Sequence, residues 1–98
     1  MSERPTSGVR YALAHAQASA ELAEYRGFAH LPEADVPLTV RVALPSGAVK
    51  AEATPTSGVP AARLAELSKA VAALVRAATK GDVAEGRVLP RKITRWRG

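Results

Sequence analysis

One segment of this chain shows the strict alternation that a β-strand requires. Large apolar side chains occupy every second position from residue 38 to residue 44, in the order Leu38, Val40, Val42 and Leu44. The alternation resumes after a Pro-Ser-Gly turn and continues through residues 49–54. A period of two places the apolar side chains on one face of a strand, so residues 38–54 predict a β-hairpin.

The register of this hairpin follows from the way its faces match. If the turn is two residues long, Val42 lies opposite Ala51 and Arg41 lies opposite Glu52. Apolar side chains then meet on one face and opposite charges on the other, which cross-strand pairing favours. A longer loop that shifts the register by two residues keeps the same faces, so both registers stay open.

A second periodic segment, from Pro60 to Lys80, predicts a helix. Its apolar residues are spaced three and four apart, which places them on one helix face; they are Leu64, Leu67, Val71, Leu74 and Ala78. Gly81 is typical of the residue that follows a helix. We expect this helix to lie on the apolar face of the hairpin. A coiled-coil seam with a partner is the alternative, but two heptads are short for one.

The residues before the hairpin are rich in alanine. Alanine has the highest intrinsic helix propensity, and Gly27 is suited to the position just after a helix. We therefore expect a first helix over residues 9–26, followed by a connection. Residues 1–8 are polar, and we expect them to form a flexible lead-in.

Together these segments predict one small α+β domain in the order helix, β-hairpin, helix. The domain spans residues 9–86, and a basic C-terminal tail spans residues 87–98. Residues 87–89 are a candidate for a short third strand beside the hairpin. A two-stranded sheet is marginal by itself, and its free edge invites pairing. We therefore expect a homodimer or a subunit of a larger assembly.

Composition excludes several classes of protein. The chain has 98 residues, of which 47% are nominally hydrophobic, and it has no cysteine. A disulfide framework and a thiolate metal site are therefore excluded. No apolar run is long enough for a signal peptide or a membrane span, so we expect a cytoplasmic protein. The abundance of alanine, arginine and valine is typical of a GC-rich, bacterial genome.

The excess positive charge lies at the C-terminus. Residues 1–86 hold equal numbers of acidic and basic side chains, whereas residues 87–98 hold no acid and account for the net charge of +5. Basic side chains neutralise phosphates, and Trp96 is suited to stacking on an unpaired base. The predicted contacts with nucleic acid or a partner are Arg87, Arg91, Lys92, Ile93, Arg95, Trp96 and Arg97, with Arg41 and Lys50 as secondary contacts.

Two binding functions remain open. In the first, the tail contacts nucleic acid or another polyanion. In the second, the chain is a protein–protein adaptor or assembly subunit, and Leu89, Ile93 and Trp96 form one face of a short helix. That helix docks on an acidic partner protein or packs on the domain's own core. A third possibility is that this helix attaches to an anionic membrane surface, but a helix of this length is short for that role.

No catalytic motif stands out. The nearest approach to a metal or acid–base set is His15, Glu21, Glu24 and His30. Their spacing lacks the close repeats that are typical of metal ligands. We expect a protein that is not an enzyme, with no catalytic residues, no metal and no cofactor.

Overall fold

A five-stranded antiparallel sheet and one helix make up the fold. The computed structural model describes residues 8–19, 21–44, 46–85 and 88–97. The elements, in chain order, are β1 (Val9–Ala18), β2 (Leu22–His30), β3 (Asp35–Ala43), β4 (Val49–Ala53), α1 (Ala61–Glu85) and β5 (Lys92–Arg97). The order of strands in the sheet is β4-β3-β2-β1-β5. The first four strands therefore form a meander, and α1 returns the chain from one edge to the other.

Residues 9–26 contain β1 and the start of β2, which pair in antiparallel fashion. The prediction of a first helix is wrong, and so is the order helix, hairpin, helix with a tail. Val9, Tyr11 and Leu13 are buried at alternate positions of β1, which is the period of a strand. Helix propensity is a weak preference that tertiary pairing overrides.

Gly27 lies inside β2 rather than at the end of a helix. A Cβ atom at this position would lie 1.9 Å from the carbonyl oxygen of Ala12 and 2.8 Å from the Cα of Leu13. No side chain fits so close to a neighbouring backbone, and close backbone approach is one reason for a glycine inside a strand. Gly27 therefore allows β1 to pack tightly on β2.

The hairpin over residues 38–54 is confirmed as β3 and β4. The register is the one shifted by two residues, since Val42 lies opposite Val49 rather than Ala51. The connecting loop is longer than two residues. Inside it Gly47, at φ +80°, donates its N–H to the carbonyl of Ala43 at 2.7 Å. The apolar faces of the two strands match in this register as they do in the other.

The predicted second helix is confirmed as α1, which packs across one face of the sheet. Its buried residues are Leu67, Val71, Leu74, Val75 and Thr79. The helix passes through Gly81 and ends at Glu85, so the predicted stop is wrong. Val83 still packs against the core, which favours the extra turn. In the part of the chain that the structure describes, no helix is long and apolar enough to cross a membrane.

The C-terminal segment adds an edge strand instead of a separate tail. β5 pairs with β1 in antiparallel fashion. The predicted third strand at residues 87–89 is wrong for Val88 and Leu89, which lie before β5 and are not in a strand; Arg87 lies outside the described residues. The hydroxyl of Tyr25, in the middle of the sheet, donates a 2.5 Å hydrogen bond to the carbonyl of Pro90. This bond holds the returning chain against the core.

Side chains shield part of each edge of the sheet. At β4 the N–H of Ala53 donates to the Ser68 hydroxyl of α1 at 3.1 Å. At β5 the guanidinium groups of Arg95 and Arg97 donate to the carbonyls of the residues before them, at 2.7 and 3.2 Å. Charged and satisfied edges disfavour pairing with other chains.

Candidate nucleic-acid interface

The two faces of the sheet differ because α1 covers only one of them. Within the described ranges, no element packs on the other face. Three cross-strand rows at its centre, which we call the open face, combine side chains of β5, β1 and β2. The upper row is Trp96, Arg10 and His30; the middle row is Thr94, Ala12 and Phe28; the lower row is Lys92, Ala14 and Arg26.

The middle of the open face is a shallow depression. Its floor is Ala12 and Ala14 of β1, and larger side chains of β2 and β5 stand on both sides. The open volume is about 450 Å³. Neighbouring strands lie about 4.8 Å apart, so the depression is roughly two strand spacings wide. A flat aromatic group or a nucleobase is a suitable size for such a surface.

Two large aromatic side chains lie on the open face: Phe28 lines the depression, and Trp96 lies in the row above it. Trp96 is 54% exposed and Phe28 is 45% exposed. The guanidinium of Arg10 lies 5.7 Å from the centre of the Trp96 ring, a cation–π distance. The Phe28 ring stacks on His30 with a centroid separation of 5.8 Å and an interplanar angle of 24°. The aromatic rings are thus supported from one side and accessible to solvent.

A buried carboxylate lies beside the lower row. Glu24 has a side chain that is only 3% exposed, although it belongs to the uncovered side of the sheet. Its carboxylate accepts contacts from Arg26 at 2.9 Å and from Arg41 at 3.2 Å. The predicted pairing of Arg41 with Glu52 is therefore wrong. In the observed register Lys50 lies opposite Arg41, so two cations are neighbours at this end of the sheet.

The predicted contact residues of the tail are divided between the two sides of β5. Lys92 and Trp96 belong to the open face. Ile93 is 1% exposed and belongs to the core, so its side chain is not accessible to a partner in this fold. Arg95 and Arg97 are exposed and shield the strand edge.

The remaining predicted contacts lie outside β5. Arg91 is exposed immediately before β5. Arg87 lies outside the described residues. Arg41 and Lys50 are exposed on the uncovered side of the sheet, next to Glu24.

The predicted docking helix does not exist. Leu89, Ile93 and Trp96 share one face only if the segment is helical. In the strand that forms instead, Ile93 points into the core and Trp96 points to the open face. The adaptor hypothesis therefore loses the particular surface on which it rested.

Most of the open face lies in β1 and β2, which the sequence pattern does not link to the C-terminal segment. A helix over residues 9–26 with a connection after it would separate Arg10, Arg26 and Phe28 from that segment. The available signal was the alternation of Val9, Tyr11 and Leu13 with polar or small residues. Pairing of β1 with β5 could not be read from local pattern, because the two strands are far apart in the chain.

The hydroxyl groups of the two core tyrosines stay neutral at physiological pH. Burial raises the pKa of Tyr25 to about 12, and the nearby Asp82 adds to this effect. Burial also raises the pKa of Tyr11, against the opposing charges of Arg63 and Arg97. The charge available to a ligand therefore comes from the arginine and lysine side chains of the surface.

The histidines are engaged in local contacts. Nδ1 of His30 lies 2.8 Å from the carboxylate of Asp35. His15 packs edge-on against the Tyr25 ring at 5.4 Å. Among the described residues, no three potential metal ligands lie close enough to hold an ion.

Comparison with known proteins adds no assignment. No family model matches the chain, and the searches of curated proteins and of solved structures give no match. A function for this chain therefore has to be inferred from the geometry of the open face.

Proposed function

We propose that this protein is a non-enzymatic binding protein for single-stranded nucleic acid, which it contacts through the open face. One observation carries the proposal: the sheet register places a shallow depression, lined by Phe28 and three cations, next to the exposed ring of Trp96. Aromatic side chains on an open sheet stack on unpaired bases. Arg10 and Lys92 are positioned to neutralise the phosphates between those bases, and Arg26 lies beside them in an ion pair with Glu24.

The proposal favours a single strand over a duplex. In a duplex the base faces are stacked on each other, so Phe28 and Trp96 have no base plane to contact. A duplex still offers phosphates, and we expect weak binding that depends strongly on salt. Stacking and phosphate contacts do not read base edges, so we expect little sequence preference.

We further propose a cytoplasmic location, where single-stranded nucleic acid is accessible. Assembly as a homodimer or within a larger complex stays a prediction. The side chains that shield parts of β4 and β5 disfavour assembly through edge pairing.

The test is a binding titration with a labelled mixed-sequence oligonucleotide, single-stranded and as a duplex, over a series of salt concentrations. Removal of residues 87–98 would delete a strand of the sheet, so single substitutions are the informative variants. We expect Phe28→Ala to weaken single-strand binding about tenfold, the effect of losing one stacking contact. We expect Lys92→Gln to reduce the salt slope by about 0.7, the effect of losing one phosphate contact.

Matched controls lie on α1, on the other side of the molecule. Lys80→Gln removes the same charge from an exposed helix position and should leave the salt slope unchanged. If Lys92→Gln and Lys80→Gln reduce the salt slope equally, the binding is a non-specific attraction between opposite charges. That result would contradict the proposal. Failure of the intact protein to bind single strands at low salt would also contradict it, and would return attention to a protein partner for Phe28 and Trp96.

A further inference from the structure

We propose that Arg26 and Arg41 form a phosphate subsite, and that the Glu24 carboxylate occupies this subsite in the free protein. The inference rests on the proposed function, because it extends the open face by one more row. Glu24 then acts as an internal competitor that limits the affinity of the face for phosphate.

The geometry of Glu24 is that of a bound anion. One carboxylate oxygen lies 2.9 Å from the Arg26 guanidinium, and the other lies 3.2 Å from Nε of Arg41. The amide of Gln17 donates to the first oxygen at 3.5 Å. Guanidinium groups recognise carboxylates and phosphates through the same fork of N–H donors, so this arrangement also suits a phosphate.

A β-bulge creates this arrangement. The register between β1 and β2 shifts between His15 and Gln17, which places Gln17 opposite Glu24. In a regular ladder Ala16 would take that position, and the Gln17 side chain would lie on the other face. Bulges commonly redirect a side chain next to a functional site. Here the bulge supplies one more donor to the carboxylate.

The exposure of the partners allows exchange with a ligand. The Glu24 side chain is 3% exposed, but the side chains of Arg26 and Arg41 are 65% and 49% exposed. A phosphate is therefore able to approach the guanidinium groups from solvent without opening the core. A structural ion pair inside the core would have both partners buried.

The positive charges around the subsite favour the binding of an anion. Arg41 and Lys50 lie opposite each other in the register of β3 and β4. Like charges directly opposite are destabilising, and Glu24 compensates for them in the free protein. A phosphodiester of nucleic acid carries the same single negative charge as a carboxylate and would satisfy the same cations. Because Arg26 also belongs to the lower row, the subsite continues the open face toward β4.

The test is Glu24→Gln, which removes the charge and keeps the shape of the side chain. We expect about fivefold tighter binding of the single-stranded oligonucleotide at low salt. We also expect the salt slope to steepen by about 0.7 to 1.4, because one or two cations become available to phosphates. Unfolding of the variant should stay cooperative, as followed by circular dichroism.

The matched control is Glu66→Gln. Glu66 pairs with Arg63 at 3.2 Å on α1, so the substitution changes the net charge of the protein equally. We expect no change of salt slope in this variant. The same gain in both variants would show an effect of net charge alone and would overturn the inference.

A double-mutant cycle with Arg41→Gln identifies the cation that Glu24 masks. In the native background this substitution should change affinity by less than about twofold. In the Glu24→Gln background it should remove about half of the gain in salt slope. Additive effects of the two substitutions would overturn the inference, because groups in one network are expected to couple.

A titration with inorganic phosphate separates this inference from the proposed function. The Nε–Hε signals of Arg26 and Arg41 are followed by NMR in the native protein and in Glu24→Gln. We expect both signals to respond at lower phosphate concentration in the variant, whether or not the protein binds oligonucleotides. Equal responses in the two proteins would overturn the subsite, while loss of oligonucleotide binding alone would overturn only the proposed function.

Discussion

The two faces of the sheet use alternate residues of the same strands and have opposite properties. On the face under α1, residues such as Tyr25 and Val40 are completely buried. On the open face, Phe28 and Trp96 are exposed next to arginine and lysine side chains. The difference shows how a period of two lets one strand stabilise the fold with one set of residues and present exposed aromatic and basic side chains with the other.

This separation has an energetic basis. Burial of an apolar side chain contributes about 1.5–3 kcal/mol to stability, so changes on the covered face are costly. Exposed side chains contribute little, and most surface substitutions change stability by less than about 0.5 kcal/mol. We therefore expect covered-face variants to affect folding and open-face variants to affect binding. The following predictions test that division.

The largest effect is expected from Gly27→Ala, because Gly27 of β2 lies against the backbone of β1. The added Cβ would lie 1.9 Å from the Ala12 carbonyl oxygen, so β1 must move. We expect a loss of about 3 kcal/mol or a failure to fold, measured by urea unfolding. Gly58→Ala is the control: it has φ +82° and no atom within 4 Å of its Cβ position, and it should cost about 1 kcal/mol. Equal costs at both sites would contradict the close approach.

Ile93→Ala and Trp96→Ala separate the two faces within one strand. We expect Ile93→Ala to cost about 3 kcal/mol of stability because it leaves a cavity in the core. We expect Trp96→Ala to cost less than about 1 kcal/mol, but to weaken single-strand binding about tenfold. Urea unfolding and fluorescence anisotropy of the labelled oligonucleotide measure the two effects. Similar losses of stability in both variants would place the two residues in one packed surface, as in a helix.

The buried Tyr25 of the covered face should make the free energy of unfolding depend on pH in alkaline solution. Its pKa is raised from 10.0 to about 12 in the folded protein, so the folded state holds the hydroxyl proton more tightly than the unfolded state. The resulting stability is complete below pH 10 and is lost as the pH rises toward 12, at up to about 1.4 kcal/mol per pH unit. Tyr25→Phe should show a weaker dependence over the same range. An unchanged dependence in that variant would assign the effect to other groups.

The smallest effect on stability is expected at the edge of β5. Replacing both Arg95 and Arg97 with Gln should change the free energy of unfolding by less than about 0.5 kcal/mol. The carbonyls that they shield become accessible to other chains, so we expect more self-association, measured by sedimentation velocity. Replacing both Arg76 and Lys80 of α1 with Gln is the control for the two lost charges. If the double variant and the native protein self-associate equally, Arg95 and Arg97 do not shield the edge of β5.

The accuracy of the sequence predictions depended on the size of the side chains in each pattern. In β3, Val40 and Val42 alternate with polar residues, and the strand is unmistakable. In α1, Leu67 and Leu74 mark one helix face. In β1 the intervening residues include Ala12 and Ala14, whose helix propensity concealed the same alternation. The charge of the C-terminal segment was located correctly, but its conformation was not.

The sequence by itself determined the hairpin, the helix and the position of the excess charge, because each depends on neighbouring residues. Only the tertiary structure decided that residues 9–18 and 92–97 are strands that lie side by side. That pairing is long-range, and it is favoured by burial of Leu13 and Ile93 in a common core. The same pairing placed Trp96 beside Arg10 and created the open face. A surface built from strands that are distant in the chain has no local signature, since its parts meet only when the strands pair in the sheet.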